Sequence, residues 1–460
     1  MSTLPFLGNT LDMMKFQFPR LHDWIAEECQ RLQGKPWRLQ VIGAPPLVVV
    51  CTVDAFEDVM KRQFEIFDKG PRVTEILQDT AGDGIFGVDG ESWYLQRKTL
   101  SHLFTSRSFR ENIMVCIQKY VRKLCSVLAT HESESPNTPI AINKIFNQFT
   151  FDTFSDIGFG LAIDKVIVLN ERRFHQPDWL WKLKRFLNIG YEKELADANQ
   201  VANQVIYQVI YDILRQKNDP DAKRVSIPEL SELKIDTKFL RDIGMGIMLA
   251  GKDTTALTMS WFFIMLSQHR RVEEALRAEI KRKLPKLVND PEYVPTPDEL
   301  DTLVYLEAVI RETLRLYPVL PLNAKEANRD VTLSDGTFIK KGTRVYIPSY
   351  ALGRMKSVWG PDAAEFLPER WLEVDQSLSV DATPRLRNTT AFQFPAFNAG
   401  PRTCLGMKFA MLELKASLAC LVTRFHFRMV TNPHPTTYEI AITLQPKGAV
   451  MAFVEKAPDA

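Results

Sequence analysis

The chain has 460 residues, 45% of them hydrophobic and 25% charged, a composition that supports a sizeable core and excludes disordered, fibrous and collagenous classes. Its 58 Lys and Arg against 56 Asp and Glu leave a net charge of +2, without the basic excess that nucleic-acid binding usually shows. Six scattered cysteines (Cys29, Cys51, Cys116, Cys125, Cys404, Cys420) form no Cys-x-x-Cys pair, which argues against a disulfide framework or a zinc site and fits a reducing compartment.

No run of about 18 apolar residues occurs, and Met1 to Lys15 carries Asp12 and Lys15 without the apolar stretch of a secretory signal. The chain as given is therefore expected not to span a membrane. No Ser/Gly linker, charge block or repeat divides it, so one large domain over residues 1–460 is expected. Trp37–Val41 and Leu47–Cys51 are β-branched, apolar runs separated by Gly43, Ala44, Pro45 and Pro46, the pattern of a hairpin. From Ser101 to about Lys283 apolar residues recur at three- and four-residue intervals, which predicts helices, with loops at Pro136, Pro139, Pro177, Pro220 and Pro228. Within this region Trp179, Leu180, Trp181, Phe186 and Leu187 alternate with Lys182, Lys184 and Arg185, an amphipathic basic stretch suited either to a membrane surface or to core packing.

The clearest helix starts at Asp236 or Thr237, both good caps, and runs through Arg241, Met245, Met248, Thr254 and Trp261 to about Gln268. At 1.5 Å per residue it is about 45 Å long, enough to cross a domain. Gly244, Gly246 and Gly251 each cost it about 1 kcal/mol relative to Ala, so something other than helix stability favours them. A second helix ends near Tyr317 and Pro318. Strands are predicted at Val331–Leu333, Thr337–Ile339, Thr343–Ile347, Phe425–Met429, Ile440–Leu444 and Val450–Val454. The expected fold class is mainly α with small β-sheets, the β-rich parts lying at about 35–55, 325–350 and 425–455.

The strongest constellation is Phe397, Asn398, Ala399, Gly400, Pro401, Arg402, Thr403, Cys404, Leu405, Gly406, a Gly-flanked cysteine just before an apolar helix (Met407–Leu421). Free backbone N–H groups and the positive end of the helix dipole are expected to lower the thiol pKa and make it an anionic metal ligand. Gly400 and Gly406 would let the backbone approach something flat, and Arg402 could reach an anionic group on the same ligand. In the long helix, Ala250, Gly251, Lys252, Asp253, Thr254, Thr255 place an alcohol where it can bond the carbonyl of Ala250 and open the helix into a groove for O2 and water. Thr254 stands 150 positions before Cys404.

The F-x-x-G-x-R-x-C-x-G pattern resembles the haem-binding loop of the cytochrome P-450 family of haem-thiolate monooxygenases, and the A-G-x-D-T-T stretch resembles the oxygen-activating helix of the same family. This resemblance implies the cytochrome P-450 fold, with haem b between the long helix and the cysteine-loop helix. It implies Cys404 as iron ligand, Phe397 beside the sulfur, Gly406 in the haem loop and Arg402 on a haem propionate. Asp253 and Thr254 inherit the role of proton relay to dioxygen. Glu312, Thr313, Leu314, Arg315 with Arg370 of Pro368–Trp371 resemble the family's buried E-x-x-R triad, a structural device that holds the cysteine loop. Trp93 and Arg97 of Gly90–Arg97 match its W-x-x-x-R helix, where both reach a propionate.

From Arg97 to Lys123 seven bases (Arg97, Lys98, Arg107, Arg110, Lys119, Arg122, Lys123) face one acid, Glu111; this is either a solvated helix face or a docking site for an acidic NADPH-dependent flavoprotein reductase, the family's usual electron donor. Leu4–Thr10 looks like the segment that follows the membrane anchor of microsomal members, and the resemblance places the protein on the cytosolic face of the endoplasmic reticulum; without an anchor it would be cytosolic. Gly82–Gly87, Gln96–Lys98 and Trp181–Gly190 resemble the fatty-acid ω-hydroxylase branch. Pocket positions implied are Phe86, Met245, Leu249, Ala250, Val319, Leu320 and Leu444, all apolar, as an alkyl chain or a core would require. The activity implied is ω- or in-chain hydroxylation of a long-chain fatty acid by O2. A haem-thiolate isomerase or dehydratase of lipid hydroperoxides would usually lack the helix acid and alcohol, and a non-catalytic haem protein has no need of Thr254.

Overall fold

The structure is a computed structural model that describes residues 8–11, 18–42, 47–105, 107–157, 169–170, 172–174, 176–217, 237–373, 384–430 and 438–457. The predicted long helix spans Thr237–Gln268. Most of it is buried, including Met259, Trp261, Phe262 and Ile264, because other helices surround it. Asp236, the alternative cap, lies outside the described residues, as do Pro220 and Pro228. Against this helix pack the helices Ile142–Ile157, Val304–Leu316 and Met407–Arg424. The last follows the cysteine loop, and its residues Leu414 to Val422, apolar except for Lys415 and Ser417, are buried throughout. A helix that is apolar on most faces belongs inside a bundle, and these helices share one hydrophobic cluster.

Two of the β-rich parts join in one five-stranded sheet, in the order Trp37–Leu39, Leu47–Val49, Arg344–Ile347, Asn323–Ala327, Phe67–Asp68. The first pair is the expected antiparallel hairpin, with Trp37 opposite Val49. Leu47–Val49 then runs parallel to Arg344–Ile347, and the remaining pairs are antiparallel. The hairpin turn, residues 43–46, lies outside the described residues. The third β-rich part pairs Phe425–Met429 with Met451–Lys456. Its expected strand Ile440–Leu444 is not formed: the chain bends there between the two-residue strands Tyr438–Glu439 and Gln445–Pro446. The bend has a physical cause, since the Leu444 amide donates to Val319 O at 2.9 Å and its carbonyl accepts from Trp261 Nε1 at 2.8 Å. These groups are thereby spent on the helical core and not on a ladder.

The amphipathic stretch forms the helix Asp178–Leu187. Only Trp181 is fully buried; Trp179, Leu183, Phe186, Leu187 and the following Ile189 are exposed, Phe186 at 85%. Among the described residues no helix is long and apolar enough to cross a membrane.

Candidate active site

The cysteine loop is built from its own backbone. Phe397 ends a short 3-10 turn (Pro395–Phe397), and its carbonyl accepts the Cys404 N–H at 2.8 Å, which closes the loop at its base. The Thr403 hydroxyl bonds the Gly400 carbonyl at 2.7 Å. Gly400 has φ +63°, and a Cβ there would overlap the Met60 carbonyl. Its small size therefore serves close packing against the segment Asp58–Arg62, not the approach of a flat ligand. Gly406 is different: a Cβ there would meet only Cys404 Sγ, at 4.0 Å, so the face above the sulfur is open.

Cys404 is exposed, the only described cysteine that is, yet its sulfur lies in a recess. Burial pushes the thiol pKa up, against the Gly406 N–H and the Arg97 charge, which lower it. The expected net depression is thus corrected: helix-end donors do act on the sulfur, but desolvation outweighs them. A bound metal cation would reverse that balance, because a coordinating thiol is deprotonated outright.

The wall beside the cysteine is cationic. Arg402 stacks its guanidinium over Trp93, 4.3 Å from the ring centroid, and donates to Asp89 Oδ1. Its Nε is buried with no hydrogen-bond partner. Arg97, half-buried on the helix Gly90–Thr105, has its pKa lowered by burial and faces Cys404; among the described residues it has no hydrogen-bond acceptor. It belongs to the recess, not to the exposed basic patch that sequence alone grouped it with, where Lys98, Lys119, Arg122 and Lys123 are exposed. Two further cations were not legible beforehand. Lys69 has its pKa lowered to about 6 and Lys325 to about 7, in both cases by burial and then by the neighbouring charge of Arg402. Lys325 is 3% exposed, sits in the strand Asn323–Ala327 and has no hydrogen-bond acceptor among the described residues. A buried cation is stable only when paired, and Asp89 and Asp68 are too few to keep four neighbouring basic groups charged. The surplus of buried, unsatisfied donors fits a planar ligand carrying two carboxylates, and the open face at Gly406 fits its ring. Haem b meets both demands.

On the long helix, Ile247 and Thr254 are half-buried and Ala250 is exposed, among buried neighbours. At spacings of three and four residues they form one stripe facing a cleft. The Thr254 hydroxyl donates to the Ala250 carbonyl at 2.8 Å, as the spacing predicted. Asp253 is 8% exposed; burial pushes its carboxyl pKa up, while Lys252, whose Nζ lies 3.8 Å away, pulls it down. Phe86 stands at the Gly246 end of this stripe: its ring carbons lie 3.5 and 3.6 Å from where a Cβ on Gly246 would stand, an ordinary van der Waals distance. The Arg97 charge acts on Cys404, the adjacent Gln96 donates to the Asp83 carbonyl at 2.7 Å, and the turn that holds Asp83 also carries Phe86 against the long helix.

Of the other pocket positions, Leu320 is exposed and Leu249 half-buried, but Met245, Val319 and Leu444 are packed inside hydrophobic clusters. Their apolar character is accounted for by the core. Glu312, Arg315 and Arg370 come together away from the cleft. The Glu312 carboxylate accepts from Arg315 Nε and Nη2 (2.8 Å each), Arg370 Nε (3.0 Å), Trp371 Nε1 (2.9 Å) and the Leu367 N–H (2.7 Å). Arg315 also donates to the carbonyls of Gly353, Ala363 and Glu365, so the cluster ties one helix to two loop segments and to the 3-10 turn Pro368–Trp371.

A thiol in an open-faced loop, a cation-rich recess and a helix stripe ending in an acid and an alcohol define a helical enzyme built around an anionic planar cofactor. Residues 1–453 match the family model for cytochrome P450, and the chain belongs to that family. Among curated proteins it is similar to cytochrome P450 86B1 of Arabidopsis thaliana, 31% identical over 97% of this chain and 84% of the relative. It is also similar to cytochrome P450 94A1 of Vicia sativa, 32% identical over 94% of this chain and 85% of the relative, and to cytochrome P450 94C1 of Arabidopsis thaliana, 32% identical over 92% of this chain and 86% of the relative. It is accordingly a haem b monooxygenase that acts on hydrophobic substrates with O2 and a redox partner.

Proposed function

We propose that the substrate is a long-chain fatty acid, hydroxylated at or near its ω carbon, and that electrons come from NADPH through a flavoprotein reductase at the cytosolic face of the endoplasmic reticulum. Haem supplies oxygen activation and its insertion into a C–H bond. The chain's own residues divide the remaining work. Cys404 would hold the iron as a thiolate, with the Gly406 N–H directed at its sulfur and Phe397 fixing the loop. Arg97, Arg402 and Trp93, with Lys69 and Lys325, would hold the propionates, whose negative charge would offset the surplus of basic groups. Thr254 holds a proton at Oγ1 beside the groove, and Asp253, made a weaker acid by burial, restores it from the protein side. Glu312, Arg315 and Arg370 keep the loop in register and touch no substrate.

The observation that carries this reading is the stripe of Ile247, Ala250 and Thr254 walled by Phe86: an apolar groove that ends at an acid and an alcohol. It favours oxygen insertion over isomerisation of a lipid hydroperoxide, which needs no proton relay. Leu249 and Leu320 extend the apolar wall. The exposed face of Asp178–Leu187, flanked by Lys182, Lys184 and Arg185, supports contact with an anionic lipid surface from which such substrates would partition. The test is O2 uptake by the haem-loaded protein with NADPH, a reductase and fatty acids of graded length. Uptake that requires reductase and fatty acid, with ω or near-ω alcohols as product, is expected. Uptake unaffected by any fatty acid would contradict the substrate class.

A further inference from the structure

The turn Gly82–Gly87, which carries Phe86, is wrapped around a single side chain of the long helix. Asp242 is 1% exposed, and its Oδ2 accepts the backbone N–H of Asp83 at 2.9 Å. Its Oδ1 accepts from Arg241 Nη1 at 2.5 Å, and Lys238 Nζ lies 3.5 Å away. The turn has no room for side chains at this point. Gly82 has φ +54°, and a Cβ there would overlap the Asp242 carboxylate; one on Gly84 would stand 2.7 Å from the Asp242 carbonyl. Two more tethers fix the turn from the other side: Gln96 Nε2 donates to the Asp83 carbonyl at 2.7 Å, and Lys69 Nζ to the Ile85 carbonyl at 2.7 Å. The outcome is the placement of the Phe86 ring against Gly246.

Gly246, Ala250 and Thr254 are spaced by four residues, so Phe86 stands on the stripe that leads to Thr254, about 12 Å along the helix axis from it. A ring held there is the end wall of the apolar groove, and how far it projects decides how far an alkyl chain advances. We infer that Asp242 is a positioning residue that, by pegging the glycine turn and so Phe86, sets which carbon of the alkyl chain is oxidised. The inference rests on the alkyl-chain reading above. Asp242 is fully engaged with the turn and its own helix, and acts on substrate only through Phe86.

The experiment uses haem-loaded wild type, Asp242→Ala, Asp242→Asn, Phe86→Ala and the Asp242→Ala/Phe86→Ala double variant, each turned over with hexadecanoic acid and reductase, with products resolved by position. In parallel, amide hydrogen exchange is measured over residues 82–87. Asp242→Ala is expected to lower the ratio of the major to the minor positional alcohol about tenfold, the scale on which one apolar contact discriminates, and to speed exchange of the turn. Asp242→Asn keeps the acceptor for the Asp83 N–H and should recover most of the ratio. The double variant should give the product pattern of Phe86→Ala, because Asp242 acts only through that ring. An unchanged ratio in Asp242→Ala where Phe86→Ala shifts it, or independent effects that add in the double variant, would overturn the inference. Faster exchange in Asp242→Ala with no alcohol formed even by wild type would overturn the fatty-acid reading and leave the peg standing.

Discussion

Glu413, in the helix that follows the cysteine loop, gives the sharpest consequence of burial in this molecule. It is 0% exposed, and neither carboxylate oxygen has a hydrogen-bond partner; the hydroxyls of Thr255 and Thr153 lie near enough to ease the charge without making well-formed bonds. Burial raises its pKa from 4.5 to about 8. The folded protein therefore keeps a proton that the unfolded chain releases above about pH 4.5. Between that pH and about 8 the folded state binds the extra proton, so stability falls as pH rises, by up to about 1.4 kcal/mol per unit. Over the whole window the loss approaches 4–5 kcal/mol. Glu413→Gln is neutral at every pH and similar in shape, so it removes this slope. Denaturant unfolding of the haem-loaded wild type and variant at intervals from pH 4.5 to 8.5 measures it. The two should agree near pH 4.5, and the variant should gain steadily to be several kcal/mol more stable at the upper end. Parallel pH profiles would refute the reasoning, since they would mean that Glu413 is ionised at no cost.

Other consequences follow from the same geometry. Gly400→Ala puts a methyl group into the Met60 carbonyl at a left-handed position, so the cysteine loop must shift; the haem content per chain should fall sharply, read by absorbance against protein concentration. Arg315→Ala leaves Glu312 buried beside Arg370 alone and frees three carbonyls; a loss of about 3–5 kcal/mol in denaturant unfolding is expected, and Arg315→Lys should restore little because it lacks the planar fork. Thr254→Ala removes the hydroxyl held on Ala250; NADPH oxidation should continue with peroxide formed in place of alcohol, measured by product and peroxide yield per NADPH.

What the sequence made legible was local. The loop around Cys404 and the Ala250–Thr255 stretch are contiguous, and a hydroxyl four residues after a carbonyl needs no tertiary contact to be expected there. The early hairpin and the long helix were likewise set by short-range pattern. Lys69 and Lys325 were not legible, because their burial beside Arg402 is created by strands from distant parts of the chain; an inward-facing lysine in Asn323–Ala327 carries no apolar alternation to reveal which face it takes. Asp242 escaped for the same reason, its partner Asp83 lying 159 positions away. Met245, Val319 and Leu444 show the complementary limit: apolar side chains read the same whether they line a pocket or fill a core. The strand expected at Ile440–Leu444 failed because Trp261 and Val319 claimed the backbone groups a ladder would have used.

The account stands on the sulfur of Cys404 as the group that would hold the haem iron. The absorption spectrum of the reduced, carbon monoxide-bound protein tests this directly. Wild type should show the strongly red-shifted Soret band of thiolate ligation, and Cys404→His should move that band to the position of nitrogen ligation. A wild-type band already at the nitrogen position, or one that the substitution leaves in place, would contradict it.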